Sequence, residues 1–221
     1  MDGARNRPDT PLIRTALLGG SFNPAHSGHK RISLFAAKAL RAEEVWWLVS
    51  PGNPLKEGAK DMAPLRARLK SAKAMAQRSI IHPTAIEQLL GTRYTVDTLA
   101  ELIRRYPNRR FIWLMGADNL AQFPQWRDWR KIAHLMPIAV IARPGYDDPT
   151  QAARAMGWLR KFVRPARQAK YWTKWRIPAL VLLRLPPDKS SATAVRRSKP
   201  EWYRSLTANP VRDPVTRLMI D

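Results

Sequence analysis

Short apolar runs alternate along this chain with longer stretches whose apolar residues recur every three or four positions. Thr15-Ala16-Leu17-Leu18, Val45-Trp46-Trp47-Leu48-Val49, Ile80-Ile81 running toward Thr84-Ala85-Ile86, Phe111–Met115, Pro137–Ala142 and Ala179–Leu185 are of strand length. Between them, Ile32, Phe35, Ala36, Ala39 and Leu40 give a helix over Lys30–Arg41, beginning near His29. Leu65, Leu69, Ala72 and Met75 give another over Pro64–Met75, with Arg66, Arg68, Lys70 and Lys73 on its polar sides. Thr95 is placed as an N-cap for a third helix, which runs to about Tyr106 and is stopped by Pro107. Strands alternating with helices predict an α/β fold, a doubly wound and mostly parallel sheet. Ligands of such sheets sit beyond the carboxyl ends of the strands. The turns expected there are Gly19-Gly20, Ser50–Pro54, Gly116-Ala117-Asp118 and Arg143-Pro144-Gly145.

Composition narrows the function without naming it. Residues 1–14 read as a loose polar leader and 15–221 as one domain, within the usual size of a single core. No apolar run is long enough to span a membrane, and Met1–Arg14 lacks the apolar core of a secretory signal. With no cysteine, thiolate metal sites and disulfide frameworks are excluded, which fits a cytoplasmic location. The 39 Lys+Arg against 17 Asp+Glu leave a formal charge of +22, which favours anionic ligands of any kind.

The densest chemistry lies in Leu17–Arg31, where the first strand meets Gly19-Gly20, a polar turn through Ser21, Asn23 and Pro24, and then a helix. Strand, glycine turn and helix deliver backbone N–H groups to a phosphate. His26 and His29, two of the four histidines, stand three apart at the helix start and can face one side. The turn is not a Walker A loop, because seven residues separate Gly20 from Gly28 and His29 stands where Lys is required. A Gly-x-Gly-x-x-Gly fingerprint is absent from the sequence. A second group, Ser190-Ser191-Ala192-Thr193-Ala194-Val195-Arg196, combines hydroxyls at a helix mouth with an arginine three residues beyond Thr193. It is either an anion clamp or an ordinary Ser/Thr cap.

Gly20–His29 resembles the nucleotidylyltransferase signature Gly-x-Phe-[Asp/Asn]-Pro-x-His-x-Gly-His, and Ser190–Arg196 resembles that family's Ile-Ser-x-Thr-x-x-Arg, with Ser190 in place of isoleucine. Tyr94–Leu99, Gly116–Leu120 with Trp126 and Trp129, and Asn53–Lys56 look like segments of the bacterial nicotinate-nucleotide adenylyltransferases. The resemblance covers about Thr15 to Arg197 and implies a Rossmann-like fold. The implied activity is transfer of AMP from ATP to nicotinate mononucleotide in NAD biosynthesis. It implies His26, His29 and Arg196 as catalytic residues, and ATP contacts from those three with Gly19, Gly20, Ser21, Phe22, Gly116, Asp118, Ser191 and Thr193. Acceptor contacts would come from Asn23, Lys56, Thr92, Tyr94, Thr95 and Trp126, the last stacking on the pyridine. Mg²⁺ would be held mainly by the ATP phosphates and water, since the sequence shows no carboxylate cluster with metal-ligand spacing.

Alternatives remain open at this level. Trp126 and Trp129 lie three apart on an expected helix, and aromatics so spaced are commonly core; Trp129 is assigned there. Asp118 can cap the helix after its strand, and Asp97 answers to the helix dipole. His82 and His134 receive no chemistry. A nicotinamide-mononucleotide or pantetheine-phosphate acceptor is the enzymatic rival. The second rival is an RNA-binding module built on the basic, aromatic segment 160–176; a basic surface insertion is preferred there. The partners expected are small molecules, without membrane or nucleic acid; oligomeric state and the stretch 200–221 are not assigned.

Overall fold

The computed structural model describes residues 12–52, 62–142, 149–185 and 196–221. Its centre is β1 (Ile13–Gly20), flanked by β2 (Glu44–Val49) on one side and β4 (Arg109–Gly116) on the other. Beyond these lie β3 (Ile81–Thr84), β5 (Ile138–Ala142), β7 (Leu180–Arg184) and the two-residue edge strand β6 (Val163–Arg164). The sheet order is β3-β2-β1-β4-β5-β7-β6, and every pairing in it is parallel.

Adjacent residues on the strands feed opposite faces. Leu17 and Trp46 enter one apolar layer, Leu18 and Trp47 the other, and all four are at least nine-tenths buried. Helices α1 (Ser27–Leu40) and α2 (Leu65–Ala76) cover the Trp47 face, with α1 burying Ile32, Ala36, Ala37 and Leu40. On the Trp46 face pack α4 (Thr95–Arg105), α6 (Trp129–Leu135) and α7 (Pro149–Leu159), with the short α3 (Ile86–Leu90) and α5 (Ala117–Gln122) at the strand ends. Each large apolar side chain buried this way contributes about 1.5–3 kcal/mol.

Several boundaries differ from the expected ones for identifiable reasons. β1 starts two residues earlier, inside the supposed leader, because Ile13 and Arg14 pair with Arg109 and Arg110. It also runs through Gly19-Gly20, which pair with Leu48 and Val49, so the glycines end the strand from within. α1 begins at Ser27, since His26 itself is the N-cap. β3 stops at Thr84, because Thr84 Oγ1 accepts the Ile86 N–H and starts α3 where continued strand was expected. The N-cap of α4 is Tyr94, and Thr95 is the first helical residue. Trp126 closes a 3₁₀ turn over Phe123–Gln125 and is not on a helix with Trp129.

The unassigned C-terminal stretch is integrated into the sheet's flank. β8 (Val211–Arg212) and β9 (Met219–Ile220) form an antiparallel ribbon around Asp213. Fully buried, Asp213 accepts from Thr84 Oγ1 at 2.9 Å and Ala85 N at 2.7 Å, and from Val215 N and Thr216 N at 2.8 and 3.0 Å. An Asp-Pro pair whose carboxylate takes the next N–H groups is a turn signal. The long-range half of the bond set has no sequence signature.

Topology sets the ligand site. From β1 the chain winds outward through β2 and β3, then restarts beside β1 at β4 and winds the other way. The crevice beyond the carboxyl ends of β1 and β4 is therefore the switch point at which such sheets receive ligands. Gly20 and Gly116 mark its two sides.

Candidate active site

The two histidines of the first turn cap one another. His26, in extended backbone, accepts the Gly28 N–H on Nδ1 at 3.2 Å; His29 Nδ1 accepts the His26 N–H at 3.2 Å. This is a capping box in which imidazoles replace the usual hydroxyl and carboxylate. Because each Nδ1 is an acceptor, each neutral ring carries its proton on Nε2 and offers an N–H donor from that atom. The ring centroids lie 3.8 Å apart. Phe22 supports the pair, its ring 4.8 Å from His29 and stacked at 4.9 Å on Trp47. Trp47 Nε1 donates to Ser33 Oγ at 2.7 Å, and Ser33 Oγ donates to the His29 carbonyl at 2.9 Å. Phe22 is 1% exposed, and its ring packs as the floor beneath His29.

Gly19 has a packing reason for its missing side chain. A Cβ there would lie 2.5 Å from Cη2 of Trp113 on the neighbouring strand. At Gly116 a Cβ would collide with Asp118 Oδ1, so the glycine lets the Asp118 carboxylate fold back over the end of β4. Asp118 is exposed in the first turn of α5, whose N-cap is Gly116; the simple capping role for Asp118 is not the one adopted.

Arg196 joins the second motif to the first. Its Nη1 donates to the Asn23 carbonyl at 2.8 Å, across 173 residues of chain. Asn23, expected on the acceptor side, is 4% exposed and its Oδ1 accepts the Ala63 N–H at 3.2 Å. It thus braces the turn against the chain entering α2. Lys56, Ser191 and Thr193, and the Arg143-Pro144-Gly145 turn, lie outside the described residues.

The side assigned to the acceptor is framed at the start of α4. Thr92 Oγ1 and Thr98 Oγ1 are 2.8 Å apart, Thr92 N donates to the Glu87 carbonyl at 3.2 Å, and Thr98 Oγ1 donates to Glu87 Oε1 at 3.4 Å. Burial pushes the Glu87 carboxyl up to about 7, with the Thr98 hydrogen bond acting the other way. Arg127 lies over the Tyr94 ring at 4.7 Å. Half-buried Trp126 meets Trp113 edge-on at 6.3 Å and Phe123 at 5.4 Å. Trp129 packs partly buried against the same core, as expected of it. Trp126, Trp113 and Gly19 thus form a chain of packing from this side to the end of β1.

Two features escaped the sequence. Arg68 is 1% exposed, although its type placed it on a polar side of α2; burial lowers its pKa to about 10. Its position three after Leu65 and four before Ala72 put it on the apolar face, a signal outweighed by its charge. The segment 160–176 turns its two tryptophans inward and leaves Tyr171 exposed: Trp172 is buried and donates Nε1 to the Leu40 carbonyl at 3.0 Å, and Trp175 packs on the same layer. Arg160, Lys161, Arg164, Arg167, Lys174 and Arg176 are exposed, so the segment is a packed insertion with a basic outer face.

The described residues hold no group of three or more His, Asp or Glu able to bind a metal ion, and no helix long and apolar enough to cross a membrane. Residues 17–198 match the family model described as cytidylyltransferase-like. A protein of Erythrobacter litoralis named "Probable nicotinate-nucleotide adenylyltransferase" is 58% identical over 94% of each chain. One of the same name from Gluconobacter oxydans is 47% identical over 84% of this chain and 95% of its own. In fold, the chain is similar to Plasmodium falciparum nicotinic acid mononucleotide adenylyltransferase complexed with NaAD, with a TM-score of 0.62 and 16% identity over 84% of this chain and 83% of that one. With a paired-histidine turn at the switch point, Arg196 seated on that turn, and relatives matched over nearly its whole length, this chain belongs to the cytidylyltransferase-like family, in its nicotinate-nucleotide adenylyltransferase branch.

Proposed function

We propose that this chain transfers the adenylyl group of ATP to nicotinate mononucleotide, giving deamido-NAD and pyrophosphate. The observation that carries the reading is the Arg196–Asn23 hydrogen bond at 2.8 Å, which seats Arg196 on the turn that holds His26 and His29. A phosphate oxygen of the acceptor attacks the α-phosphorus of ATP; that P–O bond forms as the bond to the β-phosphate oxygen breaks and pyrophosphate leaves. No covalent enzyme intermediate is needed, so the residues supply position and charge.

His26 and His29 donate from Nε2 to phosphate oxygens as negative charge shifts onto them. Arg196 supplies fixed positive charge, aided by Lys56 and by the hydroxyls of Ser191 and Thr193. Gly19, Gly20, Ser21 and the backbone of Phe22 line the triphosphate path, and Gly116 with Asp118 faces the ribose. Backbone N–H groups of Tyr94 and Thr95, with the Thr92 hydroxyl beside them, receive the acceptor's carboxylate at the positive end of α4. Asn23 holds the histidine turn in place, and Trp126 stacks on the pyridine. Mg²⁺ would be held mainly by the ATP phosphates and water and would supply neutralisation of phosphate charge. The cationic and neutral groups on the protein side suit that arrangement, and no step is assigned to the ion. The cytoplasm is the proposed compartment.

Purified chain given ATP, Mg²⁺ and nicotinate mononucleotide should release pyrophosphate and form deamido-NAD. Folded protein that turns over no pyridine mononucleotide would overturn the reading. Pantetheine phosphate in a parallel reaction distinguishes the other acceptor class.

A further inference from the structure

The proposed reaction has no use for the basic outer face of residues 160–176. From Pro149 to Pro187 the sequence carries nine of its 39 basic residues and none of its 17 acidic ones. Among the described residues, no ion pair involves this stretch. Elsewhere cations are partly answered, as by Glu101 between Arg104 and Arg105. The chain also wraps an edge of the sheet here. It leaves the Trp46 face at Leu159, pairs with β7 as the edge strand at Val163 and Arg164, and returns on the Trp47 face at Ala169 and Trp172. Its exposed cations, Arg160, Lys161, Arg164, Arg167, Lys174 and Arg176, therefore form a belt around that edge.

The second half of the belt, Ala166–Lys174, is a 3₁₀ segment. Three residues per turn sort its side chains into rows. Ala169 and Trp172 form the row buried on the core, Arg167 and Lys170 a second, and Tyr171 and Lys174 a third. Tyr171 is 50% exposed, and Lys170 Nζ lies over its ring at 5.0 Å. A half-exposed aromatic face framed by cations can stack a base while the cations hold the flanking phosphates.

We propose that this belt is a docking surface for single-stranded nucleic acid, held by its backbone and by one base stacked on Tyr171. A flexible strand can follow cations that pass from one face of the sheet to the other, whereas a planar bilayer meets only one side of such an edge. A duplex hides the base faces that Tyr171 would use. With both tryptophans turned inward and no row of base-edge readers, the binding is independent of sequence and strongly dependent on salt.

Binding of labelled oligouridylate of about twelve nucleotides to the full chain is measured over a salt series. Arg164→Gln, Arg167→Gln and Lys174→Gln together should weaken binding at least about tenfold and flatten the slope of log K against log salt by about 2. Lys70→Gln, Arg78→Gln and Arg217→Gln remove the same charge beside α2 and β3, toward the other edge of the sheet, and should weaken binding less than about threefold. Equal losses in the two triple variants overturn the proposal, because total charge alone would then explain the binding. Tyr171→Ala should lose oligouridylate at least about fivefold and bind inorganic polyphosphate as wild type does. Unchanged oligouridylate binding by Tyr171→Ala overturns the assignment to nucleic acid. Vesicles of phosphatidylglycerol held through the three belt cations, with oligouridylate not held, would make the partner a membrane and overturn it as well. Should the belt variant not fold, wild-type chain is photo-cross-linked to oligouridylate carrying 4-thiouridine. Adducts within residues 158–176 support the belt, and adducts confined to other segments overturn it.

Discussion

The side chain of His29 holds the backbone of His26, with Nδ1 accepting the His26 N–H at 3.2 Å. One ring therefore serves the helix cap with one nitrogen, and on the proposed reading it serves the substrate with the other. His29→Ala should lower turnover by about 10²–10³, the usual worth of a preorganised donor to a developing oxyanion. Single-turnover kinetics, with a melting curve on the same variant, measure this; near wild-type turnover in folded protein would make the histidine purely structural.

Acceptor choice turns on a carboxylate against a neutral amide, because both pyridine mononucleotides share phosphate and ribose. The Tyr94 and Thr95 N–H groups at the start of α4 suit the acid. The acid should be preferred by at least about tenfold in kcat/KM, or roughly 1.4 kcal/mol. Trp126→Ala should weaken both acceptors similarly, since stacking on a common ring does not choose between them. Equal use of the amide defeats the first expectation; loss of one acceptor alone defeats the second.

Glu87 gives the fold a pH dependence. Its carboxyl is pushed up to about 7 by burial, from 4.5 for the free group, so between those values the folded chain binds the proton that the unfolded chain releases. Stability from this group is full below about 4.5 and declines until the pH passes about 7. Glu87→Gln imitates the protonated state and should remove that part of the decline. Melting temperatures should match wild type near pH 4.5 and exceed it at pH 8, with about 2–4 °C for each kcal/mol. An equal difference at both pH values counts against the assignment.

Gly19→Ala drives a methyl into the Trp113 ring, 2.5 Å from Cη2. Overpacking of this kind costs about 1–3 kcal/mol. Trp113→Phe removes the outer ring atoms, so the double variant should recover most of the loss in a denaturant titration. Additive losses would mean that the glycine is needed for another reason.

The sheet was legible because its signal is repeated: apolar runs such as Val45–Val49 need only burial on both faces, and parallel pairing follows from the intervening helices. The histidine turn was legible because strand, glycine and helix occur in sequence. Less legible were residues whose role depends on a distant partner. Arg68 reads as a surface cation until three carbonyls from other segments surround it. Nothing in the sequence shows that the Phe22 ring stacks on Trp47 beneath His29. Trp172 and Trp175 read as part of a stacking platform until Leu40 accepts the Trp172 N–H and Trp175 packs on the same layer. Boundary errors at Thr84 and Thr95 came from side-chain and capping bonds of single residues, to which periodicity is blind.

Thr84 and Asp213 are 129 positions apart in the chain. At synthesis rates of about 5–20 residues per second, the hydroxyl leaves the ribosome's reading site roughly 6–26 s before its carboxylate is made. During that interval the edge of the nascent sheet at β3 lacks its final latch, while β1 and β2 have already been produced beside it. The nascent protein thus has a built-in waiting period, and chaperones have most to gain by engaging the chain before Asp213 arrives.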